Sequence, residues 1–563
     1  MLTFDSSPTI YWAVVYLLTV LVVGANFKKR VPSSLYLFGA LAVFVLMRLP
    51  SIVLNREFNA DESQMISHAI TLFQDPVYWR SVDGTTIGPL DSYLLVLPRL
   101  LGFQLDYTSA RIMGLLCGVG SLYFFFIATK RWFGEQTARI TLLLPLIFLA
   151  FTQEPDYVHY SSEQVPLLLL SVCLALLAGL SQKKKEFTFQ VKKAPVWPAF
   201  GLGFVAGMVP FAKVQGVPQA VVLVLGGLYV TYQYYRQNKN AKPLLGLLAG
   251  GISFPAVALV WMLGYGVFQH FIDFYILGNV AYAGGSGDVS IPTQFGKLVL
   301  LSPDFTALLG IVGLLTLLGV VAGRRASLST PSPRSLFIPL LILGYGLAAV
   351  YATTKSGNLF IHYLSFCIYP LSLAAALGIS KSADKKALAL LGPMLLIGWF
   401  GVQDALSFYK MRQLNAFVSV DARELLESPV VRAMKPYIRP KDTMVVWGWQ
   451  CRYYVEAQVA QGTAANHSER CIFQHPLHEE YRQKYLADMQ RNRPAIFIDA
   501  VGKNSMWVQD VATQGYESFP ELARYIRENY KYLGKIDDTR LFIRQDRALP
   551  KKISDPARPS AYR

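Results

Sequence analysis

Charge is scarce in this chain of 563 residues: Asp, Glu, Lys and Arg make up 16% of it, against 53% hydrophobic residues. Soluble domains carry about a quarter charged residues, so the shortage excludes that class and indicates a polytopic membrane protein. A mean hydropathy of +0.34 agrees. Cysteine is also scarce, with five residues, and no Cys-x-x-Cys or His/Cys spacing suggests a zinc site. Acids are outnumbered, 36 against 53 Lys and Arg, leaving a net charge of +17. That excess is no nucleic-acid patch, because much of it sits in short loops on alternate sides of apolar segments. No internal repeat is evident, which weighs against a transporter built from two related halves.

What is abundant is apolar sequence. Stretches of about 16–22 apolar residues, enough to cross roughly 30 Å of hydrocarbon as helix, recur up to Phe408. About twelve can be read, near 10–26, 34–54, 108–128, 137–152, 164–181, 197–212, 216–234, 244–265, 305–323, 336–353, 363–380 and 387–403. After Phe408 the composition turns mixed polar and stays so to Arg563. The expected architecture is a polytopic α-helical membrane domain over 1–408, with a first exterior loop at 55–107, and a small α/β domain over 409–563. In the latter, "TMVVWGW" and "AIFIDA" read as buried strands, "FPELARYIRENY" as a helix with Pro in its first turn, and "YKYLGKIDDTRLFIR" as a hairpin turning at Asp537-Asp538.

Basic residues set the orientation. The runs at 28–30, 130–132, 183–193, 236–242, 324–334 and 381–386 each follow an odd-numbered apolar segment. The positive-inside rule places all of them in the cytoplasm. Both termini, the 55–107 loop and the C-terminal domain then lie outside. The expectation is a multi-pass protein of the cell inner (plasma) membrane with an extracytoplasmic C-terminal domain. The first segment has no basic residue before it and "KKR" after it, which reads as an N-out anchor and not a cleaved signal peptide. Cys117, Cys173 and Cys367 fall in apolar spans as packing thiols. Cys451 and Cys471 fall in the outside domain, where a disulfide survives; two buried thiols are the alternative.

The exterior loops carry the candidate chemistry. The first is long for a connection between membrane helices and holds "NADESQMISHAITLF", with Asp61 and Glu62 side by side. Helix capping is the plain reading of this pair, since an acid in a first turn complements the macrodipole. A second exterior loop, "TQEPDYVHYSSEQVP", packs Glu154, Asp156, His159 and Glu163 into a short connection. Ionisable groups at the hydrocarbon edge are costly and usually face a cavity or pathway. Ser162, Glu163 and Pro166 also suit a simple helix start. Cations occur on the same side against the general bias: Lys213 in "PFAKVQGVP", Lys355 and His362 in "TTKSGNLFIHYLSF", and Arg80 and Arg111 flanking the first loop. Snorkelling is the plain reading for each. Acids and cations together at the bilayer edge suit a donor with a phosphate head and a lipid tail.

The segments "FNADESQMISHA", "GPLDSYLLVLPRLLGFQLDYTSARIMGLL", "HYSSEQVPLLLL", "PFAKVQGVP" and "NLFIHYLSFCIYPLSL" together resemble bacterial GT-C-fold glycosyltransferases. The resemblance is to the protein mannosyltransferase, lipid A aminoarabinose transferase and galacturonosyltransferase-like group, which use polyprenyl-phosphate sugars. It implies transfer of a lipid-linked sugar to a lipid, glycan or protein acceptor on the extracytoplasmic face. It also implies that Asp61, which matches the family's first-loop acid, is the catalytic base. One departure stands out. The aminoarabinose transferases carry a Lys in a Lys-Pro-Pro motif late in this loop, whereas "TTIGPLDSY" has none.

The chemistry asks for the same groups. Displacing a phosphate from an anomeric carbon needs a base for the acceptor proton and cations for the leaving charge. A single base opposite the leaving group gives inversion. Asp61 suits the base, Glu62 an orienting role, and Asp156 and Glu163 are the next acids. Lys213, Lys355, His362, Arg111 and Arg80 are candidates for the donor phosphate. No cofactor is called for, although a divalent cation bridging Asp61 with Asp156 or Glu163 stays open. The C-terminal domain is expected to cover the site's mouth and help select the acceptor. The competing class is a transporter or flippase of lipid-linked saccharides; a non-catalytic scaffold leaves the exterior cations unexplained.

Overall fold

The computed structural model describes residues 4, 8–27, 31–181, 194–284, 289–324, 336–381, 386–415, 417 and 422–547. The basic runs at 28–30 and 183–193, and most of those at 324–334 and 381–386, lie outside the described residues. The chain forms two compact units: residues 1–59, 85–94 and 107–424, and residues 60–84, 95–106 and 425–563. The units thus divide the chain differently from a cut at 408, because part of the first long loop groups with the C-terminal residues.

The first unit is a helical bundle. Each of the twelve apolar segments read from the sequence is a helix. Among the described residues, eight helices are long and apolar enough to cross a membrane, or nine if Ile291–Leu301 and Pro303–Gly319 form one broken span. Glu135–Phe151, Gln164–Leu180 and Val196–Ala212 are 17 residues each and fall just short of that length. The 113° bend between Leu301 and Pro303 follows from Pro303, which disfavours helical backbone at the residue before it. Ser302 there is extended (φ −115°, ψ 98°). Helices Val196–Ala212 and Lys242–Gly264 pack closely through glycine. A Cβ at Gly203 would run into the Leu247 carbonyl, and one at Gly250 into the Phe200 carbonyl. Small residues take this role where lipid provides no hydrophobic drive for helix association.

The second unit is built on a five-stranded sheet in the order β2-β1-β3-β5-β4. Its strands are β1 (Thr443–Trp447), β2 (Ala460–Gln461), β3 (Ile496–Asp499), β4 (Tyr530–Ile536) and β5 (Thr539–Arg544). β1 pairs parallel with β2 and β3, whereas β3/β5 and β4/β5 are antiparallel. The hairpin turns at Asp537 and Asp538, whose positive φ values of 44° and 63° match the twist of the flanking strands. Cys451 and Cys471 are both free and buried, the two-thiol alternative of the pair the sequence left open. Cys451 Sγ lies 3.7 Å from the Asn466 carbonyl.

The helix Ala60–Gln74 belongs to this second unit. Asn466 Nδ2 donates to the Gln64 carbonyl at 3.0 Å and to Ser67 Oγ at 2.6 Å. Gln461 N donates to Thr71 Oγ1 at 3.0 Å, and Asp83 N to the Ala464 carbonyl at 2.8 Å. The Gln64 amide lies 3.2 Å from His467 Nε2, and the His467 ring stacks on Trp449 at 4.0 Å. The helix beginning at the Asp61-Glu62 pair is thereby fastened to the loop after β2.

Candidate functional site

In the first unit, the second acidic loop is organised by a single turn of helix, Pro155–Val158. Pro155 opens it, where a missing N–H costs nothing. Glu154 Oε2 accepts from Ser302 Oγ at 2.8 Å, and its Oε1 from Asp304 N at 3.3 Å. Burial lifts the Glu154 carboxyl to about 7; the Ser302 bond opposes this and the Asp304 charge adds to it. Asp156 behaves oppositely. Its Oδ1 accepts from Asn59 Nδ2 at 3.1 Å, and its Oδ2 lies 3.6 Å from His362 Nδ1. Burial alone would raise it, but His362, His159 and Asn59 bring it down to about 2. The His159 and His362 rings meet edge to face at 5.7 Å, and His362 stacks on Phe360 at 5.5 Å.

Glu163 and Lys213 form a buried ion pair, their side chains 1% and 3% exposed. Lys213 Nζ also reaches Ser162 Oγ at 2.5 Å and stands 5.0 Å above the Tyr363 ring. Burial pushes Glu163 upward, yet the Lys213 charge, helped by His362, holds it down at about 2. Lys213 occupies an extended position just after Val196–Ala212 and bridges Ile87. The neighbouring Gly88 is required there, since a Cβ would run into the carbonyls of Phe211 and Ala212. This close approach brings in the helix Pro89–Leu100 and its Asp91, which is fully buried. Neither Asp91 carboxyl oxygen has a hydrogen-bond partner among the described residues. Burial lifts Asp91 well above the usual carboxylate range, with Lys213 opposing and Glu163 adding.

A cavity of about 70 Å³ adjoins these groups. Its polar lining includes Arg48, Ser51, Arg111, Asp156, His159 and Glu163. Its apolar lining includes Phe44, Leu115, Leu149, Leu167 and Ile368. The helices lining it contribute the ends that the sequence assigns to the outside, away from the basic runs.

The remaining candidates are placed elsewhere or otherwise engaged. Arg111 lines the cavity, but its Nη1 donates to the carbonyls of Ser51 and Leu54 at 2.9 and 2.5 Å, and its Nη2 to that of Arg56. Its guanidinium also covers the Phe58 ring at 3.5 Å. Lys355 follows Phe337–Thr354 and is exposed. In the second unit, Arg80 pairs with Asp75 at 2.5 Å and closes the turn after Ala60–Gln74. Asp61 and Glu62 occupy the first turn of that helix, Asp61 half-buried and Glu62 fully buried. Among the described residues, no group of three or more His, Cys, Asp or Glu is arranged to hold a metal ion.

Neither family models nor curated proteins give a match to the sequence. Solved structures do. ArnT from Cupriavidus metallidurans bound to undecaprenyl phosphate superimposes with a TM-score of 0.54 at 14% identity, over 90% of this chain and 97% of that one. The chain has the GT-C fold. The same ArnT in the apo state gives 0.41 at 13% identity, over 90% and 96% of the two chains. An Archaeoglobus fulgidus oligosaccharyltransferase tethered with an acceptor peptide gives 0.39 at 12%, over 84% and 69%. Within this GT-C bundle, two buried groups next to the cavity escape the sequence reading. Asp91 looks like an ordinary first-turn acid, and Arg48 is one charge inside an apolar span. A lone ionisable residue in such a span is itself a signal.

Proposed function

We propose that the chain is an integral membrane glycosyltransferase. It moves a sugar from a polyprenyl-phosphate donor to a hydroxyl acceptor on the extracytoplasmic face, with inversion and with Asp61 as general base. The carrying observation is the cavity, whose lining combines charged and hydroxyl groups with aliphatic and aromatic ones. A phosphate joined to a lipid has the same mixed chemistry. The fold supports the reading, because the ArnT structure it matches was captured with undecaprenyl phosphate.

In the proposed step, the acceptor hydroxyl attacks the anomeric carbon while the bond from that carbon to the phosphate oxygen breaks. The hydroxyl proton passes to the Asp61 carboxylate, and the lipid phosphate leaves with both electrons of the broken bond. The cation candidates differ in readiness. Lys213 is already matched by Glu163, Arg80 by Asp75, and much of Arg111 is held by carbonyls. His362 is shared with Asp156 and Lys355 is exposed; these two are the candidates proposed to support the leaving phosphate. Glu62 orients the first-loop helix.

The test is Asp61→Asn in detergent-purified protein supplied with polyprenyl-phosphate sugar. Asn caps a helix as well as Asp does, so folding and donor binding should persist. Transfer should slow by roughly two to four orders of magnitude, the usual share of general-base catalysis. Transfer within about threefold of wild type would return Asp61 to helix capping. No transfer by the wild-type protein from any such donor would reject the reading itself.

A further inference from the structure

The helix Ser33–Val53 carries one charged residue, Arg48, about a turn from its end. The side chain is 93% buried, being 7% exposed. Its Nη2 donates to the Tyr157 carbonyl at 3.0 Å. No other hydrogen bond from the Arg48 side chain and no ion pair to it is found among the described residues. The residue lines the cavity.

A guanidinium in this situation is expensive. A charged side chain inside a membrane span is retained where it serves a partner or a pathway, and a buried charge ordinarily has a counter-charge. Around the cavity, Glu163 is balanced by Lys213 and Asp156 by His362 with Asn59, while Arg111 is held by the carbonyls of Ser51, Leu54 and Arg56. The Arg48 side chain has the single Tyr157 carbonyl among the described residues. Its planar fork of donors suits a phosphate, and the aliphatic lining residues suit the first carbons of a lipid. At about 30 Å³ per water, a cavity of about 70 Å³ holds roughly two waters, space on the scale of a phosphate head, with the chain left to extend outside it.

We propose that Arg48 is the anion ligand of this cavity and takes the phosphate of the lipid carrier, whereas Lys213 serves to balance Glu163. The assignment rests on the lipid-phosphate reading above, but it is tested by binding alone. The probe is undecaprenyl phosphate titrated onto the full-length protein in detergent and read by native mass spectrometry, with undecaprenol and inorganic phosphate as separate arms. Wild type should bind the lipid phosphate and not undecaprenol, and millimolar inorganic phosphate should not displace it.

Arg48→Met keeps length and apolar packing but removes the charge. It should weaken binding roughly ten- to a hundredfold, the range for losing hydrogen bonds to a charged group. Arg48→Lys, which keeps the charge without the fork, should fall between. If Arg48→Met does not fold, Arg48→Lys decides: weakened binding at an unchanged melting temperature supports the proposal, and wild-type binding overturns it. Wild-type affinity in Arg48→Met also overturns it. Displacement by inorganic phosphate would make this a free-anion site and overturn the lipid assignment. A protein whose transfer needs Asp61 but whose lipid binding ignores Arg48 keeps the function and loses this proposal. One that binds through Arg48 yet transfers nothing does the reverse.

Discussion

Asn466→Leu should release the helix that carries Asp61. The wild-type amide is fully buried and donates twice into Ala60–Gln74, to the Gln64 carbonyl and to Ser67 Oγ. Leucine has a similar size and no donor, and it leaves no room for a rescuing water. The Gln64 carbonyl still accepts from Ser67 Oγ at 2.8 Å, so the loss falls at the low end for two buried bonds. Each uncompensated group costs about 1–3 kcal/mol, giving a total of roughly 2–3 kcal/mol. That corresponds to local opening about 30- to 150-fold more frequent. Hydrogen exchange on peptides covering 60–74 reads this directly, and sugar transfer should fall while lipid-phosphate binding in the first unit persists. Asn529→Ala is the control, because its amide donates to Tyr525 within its own helix. Exchange within about threefold of wild type in Asn466→Leu, matching that control, would refute the fastening. The same contacts predict that cutting the chain near 415 removes more than an acceptor-selecting cover, since it removes what holds the loop helix.

Lys213→Met should destabilise the protein by about 3–5 kcal/mol, because it strands a buried carboxylate. Adding Glu163→Leu should restore much of the loss in a thermal melt, and a double variant as unstable as the single one would count against the pair. Acid should loosen the second unit. Burial holds His68 and His467 down at about 3, with repulsion from His467 adding for His68 and the Arg470 charge for His467. Their unfolded value is near 6.5, so the unfolded state binds more protons below that pH. Stability is then complete above about 6.5 and is lost progressively as pH falls through 5 toward 3. Exchange in 60–74 should accelerate from pH 7 to 5 after correction for intrinsic rates, and His467→Phe, which keeps the ring on Trp449, should blunt the change.

The sequence discloses what depends on local composition. An apolar run of spanning length needs no partner to be read, since hydrocarbon demands that its backbone be satisfied internally; all twelve such runs are helices. The strands at Thr443–Trp447 and Ile496–Asp499, and the hairpin at Asp537-Asp538, are equally local, coming from apolar runs and a turn. What stays hidden is pairing at a distance. Glu163 and Lys213 are 50 positions apart, so each looks like an isolated ion at the bilayer edge until the fold joins them. The helix Ala60–Gln74 is separated from Asn466 by about 400 positions, and so it reads as part of the membrane domain when it belongs to the other unit.

Arg48 is the opposite case, a local signal lost by averaging. A window wide enough to find a 21-residue span dilutes one guanidinium to insignificance, although inside hydrocarbon that single charge outweighs the apolar gain of several neighbouring leucines. The same reasoning separates Arg48 from Asp91. A carboxyl can discharge its burial cost by taking up a proton, and burial shifts Asp91 in that direction. A guanidinium, with its intrinsic pKa above 12, has far less freedom to escape by losing one. For a buried arginine the cheaper remedy is a counter-charge, and where the protein provides none, the ligand is the natural source.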